Sequence, residues 1–345
     1  MQTMSNAFEG FRTAIEPDER IKEIAQAADD PVREHLEGHR SFAARHVTTF
    51  LYGSYRRHTA EGDMKDVDLV VVTNFTIRAN PIDVLEELWD SLTELYEEPD
   101  LAEQRRSVRV DRPLPEIRGC KLTLDVIPAI YQGKPEEPLW VPDREKKLWV
   151  PSHPRGHILY TSELNARSYQ GRMFVPLVKM MKHWWKYQFE CWHTGAAAHK
   201  RKPKGFWIEV MTGQYTDLSK QSYPELIVSL FEKAFGELKT FRSNGKIPEL
   251  KDPGLKGQTV KTSITGEEFR FFLERMEESL KWAREALRAD NERRASECWQ
   301  QVFGPSFPLA EGMNKSSGLL SAAVKPSGLS FPDRAITPQR PQGFA

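Results

Sequence analysis

Apolar residues recur first at helical spacing, then in short strand-like runs, then at helical spacing again. In "PDERIKEIAQAADD", Ile21, Ile24 and Ala25 repeat on one side after an acidic start, which predicts amphipathic helix within residues 1 to about 45. "HVTTFLY" reads as a strand ending at Gly53, and "VDLVVVTNF" as a second. "PIDVLEELWDSLTELYEE" carries Val84, Leu85, Leu88, Leu92 and Leu95 as a helical stripe behind Pro81, a residue suited to a first helical turn. "SVRVDR" and "CKLTLDVIPAI" predict further strands, the second alternating until Pro128. "VPDREKKLWVPSHPRG" is rich in proline and reads as irregular.

From about residue 163 the pattern is helical. "MFVPLVKMMKHWWKYQFECW" places Phe174, Val178, Met181, Trp185, Phe189 and Trp192 on one stripe and Lys179, Lys182 and Lys186 on another. Trp184, Trp185 and Trp207 fall at helix-core spacing, so packing is their expected role. After Gly304 the chain turns rich in Pro, Ser and Gly without lasting periodicity, which reads as an extended tail. The expected organisation is a helical segment over 1–45 running along both lobes, a catalytic core over 46–162, a helical lobe over 163–303 and a tail over 304–345. Strands mixed with helices, followed by helices alone, place the fold in the α+β class.

Composition narrows the function. Lys+Arg and Asp+Glu both number 49, and this balance argues against a protein that holds long nucleic acid and favours small nucleotides. The three cysteines, Cys120, Cys191 and Cys298, form no CxxC pair, which fits a reducing cytoplasm and gives no disulfide framework. No apolar run is long enough to span a membrane. Cys191, His193 and His199 match no zinc spacing. "HKRKPK" (residues 199–204) is a basic cluster, read first as a solvated loop and second as a contact for phosphates.

The chemistry lies in the first strands. Alternation sends Asp66, Asp68 and Val70 to one face and Val67, Leu69 and Val71 to the other. Two carboxylates that close repel and raise each other's pKa. Pairing with Arg56 or Arg57 is the bland resolution. Gly53-Ser54 after a strand suits phosphate binding, because glycine lets the backbone approach an anion while freed N–H groups and a hydroxyl hold it. Asp125 stands in an otherwise apolar strand and shares a face with Thr123 and Ile127. If that strand pairs with 67–72, Asp125 joins Asp66 and Asp68, and three carboxylates favour Mg²⁺ (or Mn²⁺). Two such ions can activate an attacking hydroxyl and neutralise a leaving pyrophosphate, with Asp66 and Asp68 bridging them and Asp125 beside the attacking hydroxyl.

Gly-Ser, then Asp-x-Asp, then a distant strand Asp resembles the signature of the DNA polymerase β-like nucleotidyltransferases. "GSYRRHTA…DVDLVVV" with "LDVIPA" is similar to the branch holding oligoadenylate synthetases, cyclic GMP–AMP synthase and the bacterial cGAS/DncV-like nucleotidyltransferases (CD-NTases). "MMKHWWK" and "GFWIEVMT" resemble two helices of oligoadenylate synthetases, and the likeness covers roughly residues 45 to 290.

The resemblance implies a two-lobed polymerase β-like core with a mixed twisted sheet and a helical C-terminal lobe. It implies that Gly53 and Ser54 hold the donor triphosphate, that Asp66, Asp68 and Asp125 are the metal ligands, and that Lys182, and less directly Lys179, reach triphosphate oxygens. Glu209 resembles a family glutamate and reads equally as the cap of a buried polar network. Gly205 stands where relatives often carry a phosphate-contacting Ser, so that contact is lost or supplied by a neighbour such as Lys204. The implied activity joins NTPs, ATP among them, into a cyclic di- or trinucleotide messenger in anti-phage (CBASS) signalling. The alternative is template-independent extension of the CCA-adding, poly(A) or 2′–5′ oligoadenylate type, and a non-catalytic protein retaining the fold ranks third because all three aspartates are present. The resemblance also implies a conjugation or regulatory partner for the tail ending "QRPQGFA".

Overall fold

The computed structural model describes residues 4–62, 66–97, 101–114, 120–134, 138–191, 203–243 and 245–310. Three short helices open the chain: α1 (Ser5–Ala14), α2 (Glu19–Gln26) and α3 (Asp30–Gly38). The sheet follows, with β1 (His46–Tyr52), β2 (Asp66–Thr73), β3 (Leu101–Glu103), β4 (Val108–Leu114), β5 (Cys120–Ile130), β6 (Leu139–Asp143) and β7 (Leu148–Ser152). Between them lie the one-turn α4 (Gly53–Arg56) and α5 (Pro81–Thr93). The remainder is α6 (Pro154–Arg167), α7 (Phe174–Cys191), α8 (Gly205–Tyr215), α9 (Tyr223–Leu238), α10 (Gly266–Arg288) and α11 (Glu292–Phe303), with a two-stranded β8 (Leu250–Lys251) and β9 (Thr259–Val260) before α10.

The sheet is mixed. Its order is β1-β2-β5-β4-β3, with β6 joined to the far end of β5 and β7 to β6. Strands β2 and β5 are parallel, and every other pair is antiparallel. Val67, Leu69 and Val71 of β2 and Leu122, Leu124 and Val126 of β5 face a core shared with Ile21, Val32, Leu36, Leu88 and Leu92 of the helices. Val70 and Val72, on the opposite face, pack against Leu139, Val141 and Val150 of the β6–β7 hairpin. Both faces of β2 are therefore covered past Leu69, which explains its continuous valine run.

A second core gathers Leu177, Met181, Trp184, Trp185, Trp207, Phe231 and Phe272 from α7 to α10. The three tryptophans pack there as their spacing predicts. Phe8 and Phe11 of α1 join this helical core, whereas Ile21 and Val32 of the next two helices join the sheet core. The opening helices thus divide between the two.

Three expectations change. The proline-rich stretch over 141–156 is regular: Leu-Trp-Val-Pro occurs twice, and the β6–β7 register sets Trp140 opposite Pro151 and Pro142 opposite Trp149. Proline is tolerated because β7 is an edge strand and β6 meets β5 only at Ile130–Trp140. Helix also begins at Pro154, a first-turn proline, ahead of residue 163. Past Gly304 the chain still packs, because Phe307 is buried against Phe8 and Phe303. The tail from 311, and "HKRKPK" apart from Pro203 and Lys204, lie outside the described residues, as do His193 and His199. No described helix is long and apolar enough to cross a membrane.

Candidate active site

The parallel register of β2 and β5 sets Asp68 directly against Asp125, and Asp66 against Thr123. The antiparallel register of β1 and β2 sets Tyr52 against Asp68, so Gly53 turns away immediately beside that carboxylate. Gly53 has φ +71°, and a Cβ there would fall 1.8 Å from Asp68 Oδ2. Glycine is required twice over, for the backbone conformation and for the approach.

These residues open on a cleft of about 620 Å³. Tyr52, Gly53, Ser54, Asp66 and Asp68 form one wall, and Lys182, Lys204, Gly205 and Phe206 another. The N-terminus of α8, which begins at Gly205, therefore faces the strand bearing the aspartates, and its free N–H groups favour an anion there.

The acids differ in how they are compensated. Asp66 is exposed. Asp125 is gripped by Arg109, whose Nε and Nη2 donate to Oδ1 and Oδ2 at 3.0 and 2.9 Å. Asp68 has no such partner among the described residues: burial, then the charge of Asp125, push its pKa up to about 6, only partly opposed by Arg57. A bound cation would supply the compensation that the protein groups do not. The set offers oxygen donors only, which fits a hard divalent ion.

Arg57 does not resolve the acids as the bland reading supposed. It donates from Nε and Nη2 to Glu209 at 2.7 and 3.3 Å. Glu209 also accepts from Thr59 at 2.9 Å, Thr161 at 3.0 Å and Lys182 at 3.3 Å. It is the hub of a buried network joining the turn after β1 to α6, α7 and α8. Burial alone would raise its pKa, but Lys182 and Arg57 hold it down at about 2. Nη1 of Arg57 has no hydrogen-bond acceptor among the described residues, and its guanidinium lies over the rings of Tyr52 and Phe206.

Lys182 lines the cleft but is not a solvated lysine. Its amine donates to the Thr59 carbonyl at 2.9 Å, and burial lowers its pKa. Lys179 is not among the lining residues. It pairs with Glu16 at 2.6 Å, ahead of α2.

Sequence reasoning missed several contributors. Arg109 was signalled by the alternation in "SVRVDR", since buried Val108 and Val110 leave it on the acids' face. Arg106 lines the cleft from the β3–β4 turn and donates to buried Asp143. Beneath the cleft, Tyr52 Oη lies 2.8 Å from His157 Nδ1, and His157 Nε2 2.8 Å from Asp252. This relay ties the end of β1 to α6 and the turn after β8, and no local pattern announces it.

The chain is similar to known proteins along its whole length. The family described as the Second Messenger Oligonucleotide or Dinucleotide Synthetase (SMODS) domain matches residues 1–165. A cyclic AMP-AMP-AMP synthase from an Acinetobacter species is 32% identical, covering 100% of this chain and 98% of its own. A cyclic AMP-AMP-GMP synthase from Enterobacter hormaechei is 27% identical over 98% of each. Among solved structures, E. coli MS115-1 CdnC with ATP superposes with a TM-score of 0.67 at 18% identity, over 88% of this chain and 98% of that one, a likeness of fold.

Proposed function

The chain belongs to the SMODS-domain cGAS/DncV-like nucleotidyltransferases, and from that membership we propose that it joins NTPs into a cyclic trinucleotide with release of pyrophosphate. The observation that carries the site assignment is the β2–β5 register, which sets Asp68 against Asp125 beside Gly53. The names of the two relatives support a ring of three nucleotides with at least two adenosines, and ATP as a substrate. The same resemblance supports a signalling role of the CBASS type.

The roles follow from position. The backbone at Gly53 and the Ser54 hydroxyl hold the donor phosphates, close to Asp68 because no Cβ intervenes. The α8 N-terminus and Lys204 add positive potential from the opposite wall, and the Arg57 guanidinium adds charge from the turn after β1. Lys182, held by Glu209 and Thr59, lends charge to that wall and does not swing freely. Asp66, Asp68 and Asp125 would hold the divalent cation on which this nucleotidyltransferase family typically depends, as a pair of Mg²⁺ or Mn²⁺ ions. Bound there, the ions supply charge neutralisation of the triphosphate and acidify the attacking hydroxyl. Asp125, opposite Asp68 and held by Arg109, would help take the proton of the attacking hydroxyl.

The test incubates purified protein with ATP, GTP, CTP and UTP plus Mg²⁺ or Mn²⁺, beside the Asp66→Ala/Asp68→Ala variant. Products are treated with phosphatase and identified by mass spectrometry. A phosphatase-resistant ring absent from the variant is the expected result. A phosphatase-sensitive ladder would replace cyclisation with linear extension.

A further inference from the structure

Away from the cleft, α3 and the end of α5 bring two histidines and a glutamate together. His35 and His39 stand four residues apart at the end of α3, with ring centroids 5.2 Å apart. Glu94 caps α5. One donor atom from each lies within 4.8 Å of the other two. They line a surface hollow of about 650 Å³ with Glu34, Gly38 and Arg40.

Each ring is oriented from outside the trio. Nε2 of His35 lies 2.7 Å from the Ser91 carbonyl and 3.2 Å from its hydroxyl. Nδ1 of His39 lies 2.9 Å from the Ser41 hydroxyl, which leaves its Nε2 facing Glu94 Oε1 at 3.3 Å. Outer hydrogen bonds of this kind fix ring orientation in metal sites. The ion pair alone is a weak reason for the arrangement, because Glu94 is half exposed. Arg40 reaches only 4.0 Å from Glu94 and is almost wholly exposed, so it competes weakly for that carboxylate.

We propose that His35, His39 and Glu94 form a binding site for Zn²⁺ or a similar late first-row divalent cation, separate from the aspartate site. Two imidazoles and a carboxylate suit such an ion, whereas the oxygen-only cleft suits Mg²⁺. Bound there, the ion clips α3 to the end of α5. Both helices bury side chains in the core behind the aspartate-bearing strands, Val32 and Leu36 from one and Leu88 and Leu92 from the other. The site is a brace for the sheet and takes no part in the transfer chemistry.

The experiment uses the full, untagged chain carrying Asp66→Ala and Asp68→Ala, so that the cleft acids do not hold the ion. Zn²⁺ alone is titrated against a chromophoric chelator, and Tm is measured with and without it. One equivalent should bind, Tm should rise, and Co²⁺ should give a visible spectrum with imidazole ligation. Adding His39→Ala and Glu94→Gln should weaken binding on the order of tenfold or more and remove the Tm rise. Glu94→Gln alone, at the exposed ligand, serves as the variant whose metal-free melting should match its parent. Binding no tighter than in the variants overturns the proposal. So does binding lost on replacing His193 and His199 instead.

Discussion

Asp68 and Glu209 are both carboxylates withdrawn from water, and the fold treats them in opposite ways. Glu209 is surrounded by Arg57, Lys182, Thr59 and Thr161 and is held at a pKa of about 2. Asp68 faces Asp125 and Asp66 with only distant help from Arg57, and its pKa rises to about 6. The difference lies in the partners, because burial acts the same way on both. A carboxylate whose compensation is built in serves the structure. One whose compensation is left out is ready for a ligand's cation, at some cost in stability.

The largest effect should come from Asp68→Asn. Product formation, quantified by mass spectrometry, should fall on the order of a thousandfold, as a key charge at the reacting phosphate is lost. Its Tm in metal-free buffer should equal or exceed that of the parent, since a repelled charge has gone. Glu209→Gln should do the reverse in kind. It strands Arg57 and Lys182 in the interior and should cost about 3–5 kcal/mol in urea unfolding. If Glu209→Gln were neutral and Asp68→Asn destabilising, the contrast between the two sites would collapse.

Gly53→Ala should damage both quantities, because its Cβ would meet Asp68 Oδ2 and its φ is positive. A loss of about 1–3 kcal/mol in stability and on the order of a hundredfold in rate is expected. Acid titration sharpens the comparison further. The folded pKa of Glu209 is depressed, so its stabilising contribution is complete above the unfolded value of 4.5 and fades as pH falls through about 2. Wild-type stability should therefore drop more steeply over that window than that of Glu209→Gln, as read from unfolding at stepped pH. The smallest effect belongs to Arg109→Ala. Its pair with Asp125 is one-third exposed on the arginine side, so stability should change by about 1 kcal/mol or less.

Much of this was legible in the chain. Alternation put Asp66 and Asp68 on one face of β2 and Asp125 with Thr123 on one face of β5, and the structure keeps both assignments. Gly53 beside a strand end announced a tight turn. The β6–β7 hairpin was hidden because proline normally argues against strand, and only its place at the sheet edge makes proline acceptable there. Lys179 and Lys182 shared a helical stripe, but the stripe could not say that one meets Glu16 and the other Glu209.

The sequence by itself determined most of the elements, the faces on which the acids lie, and the family. Only the tertiary structure decided which acids are compensated: Arg109 takes Asp125, Arg57 takes Glu209, and Asp68 is left to its like-charged neighbours. The reason is physical. Alternation and periodicity are properties of neighbours along the chain, whereas the energy of a buried charge depends on groups that folding brings from 16 or 152 residues away.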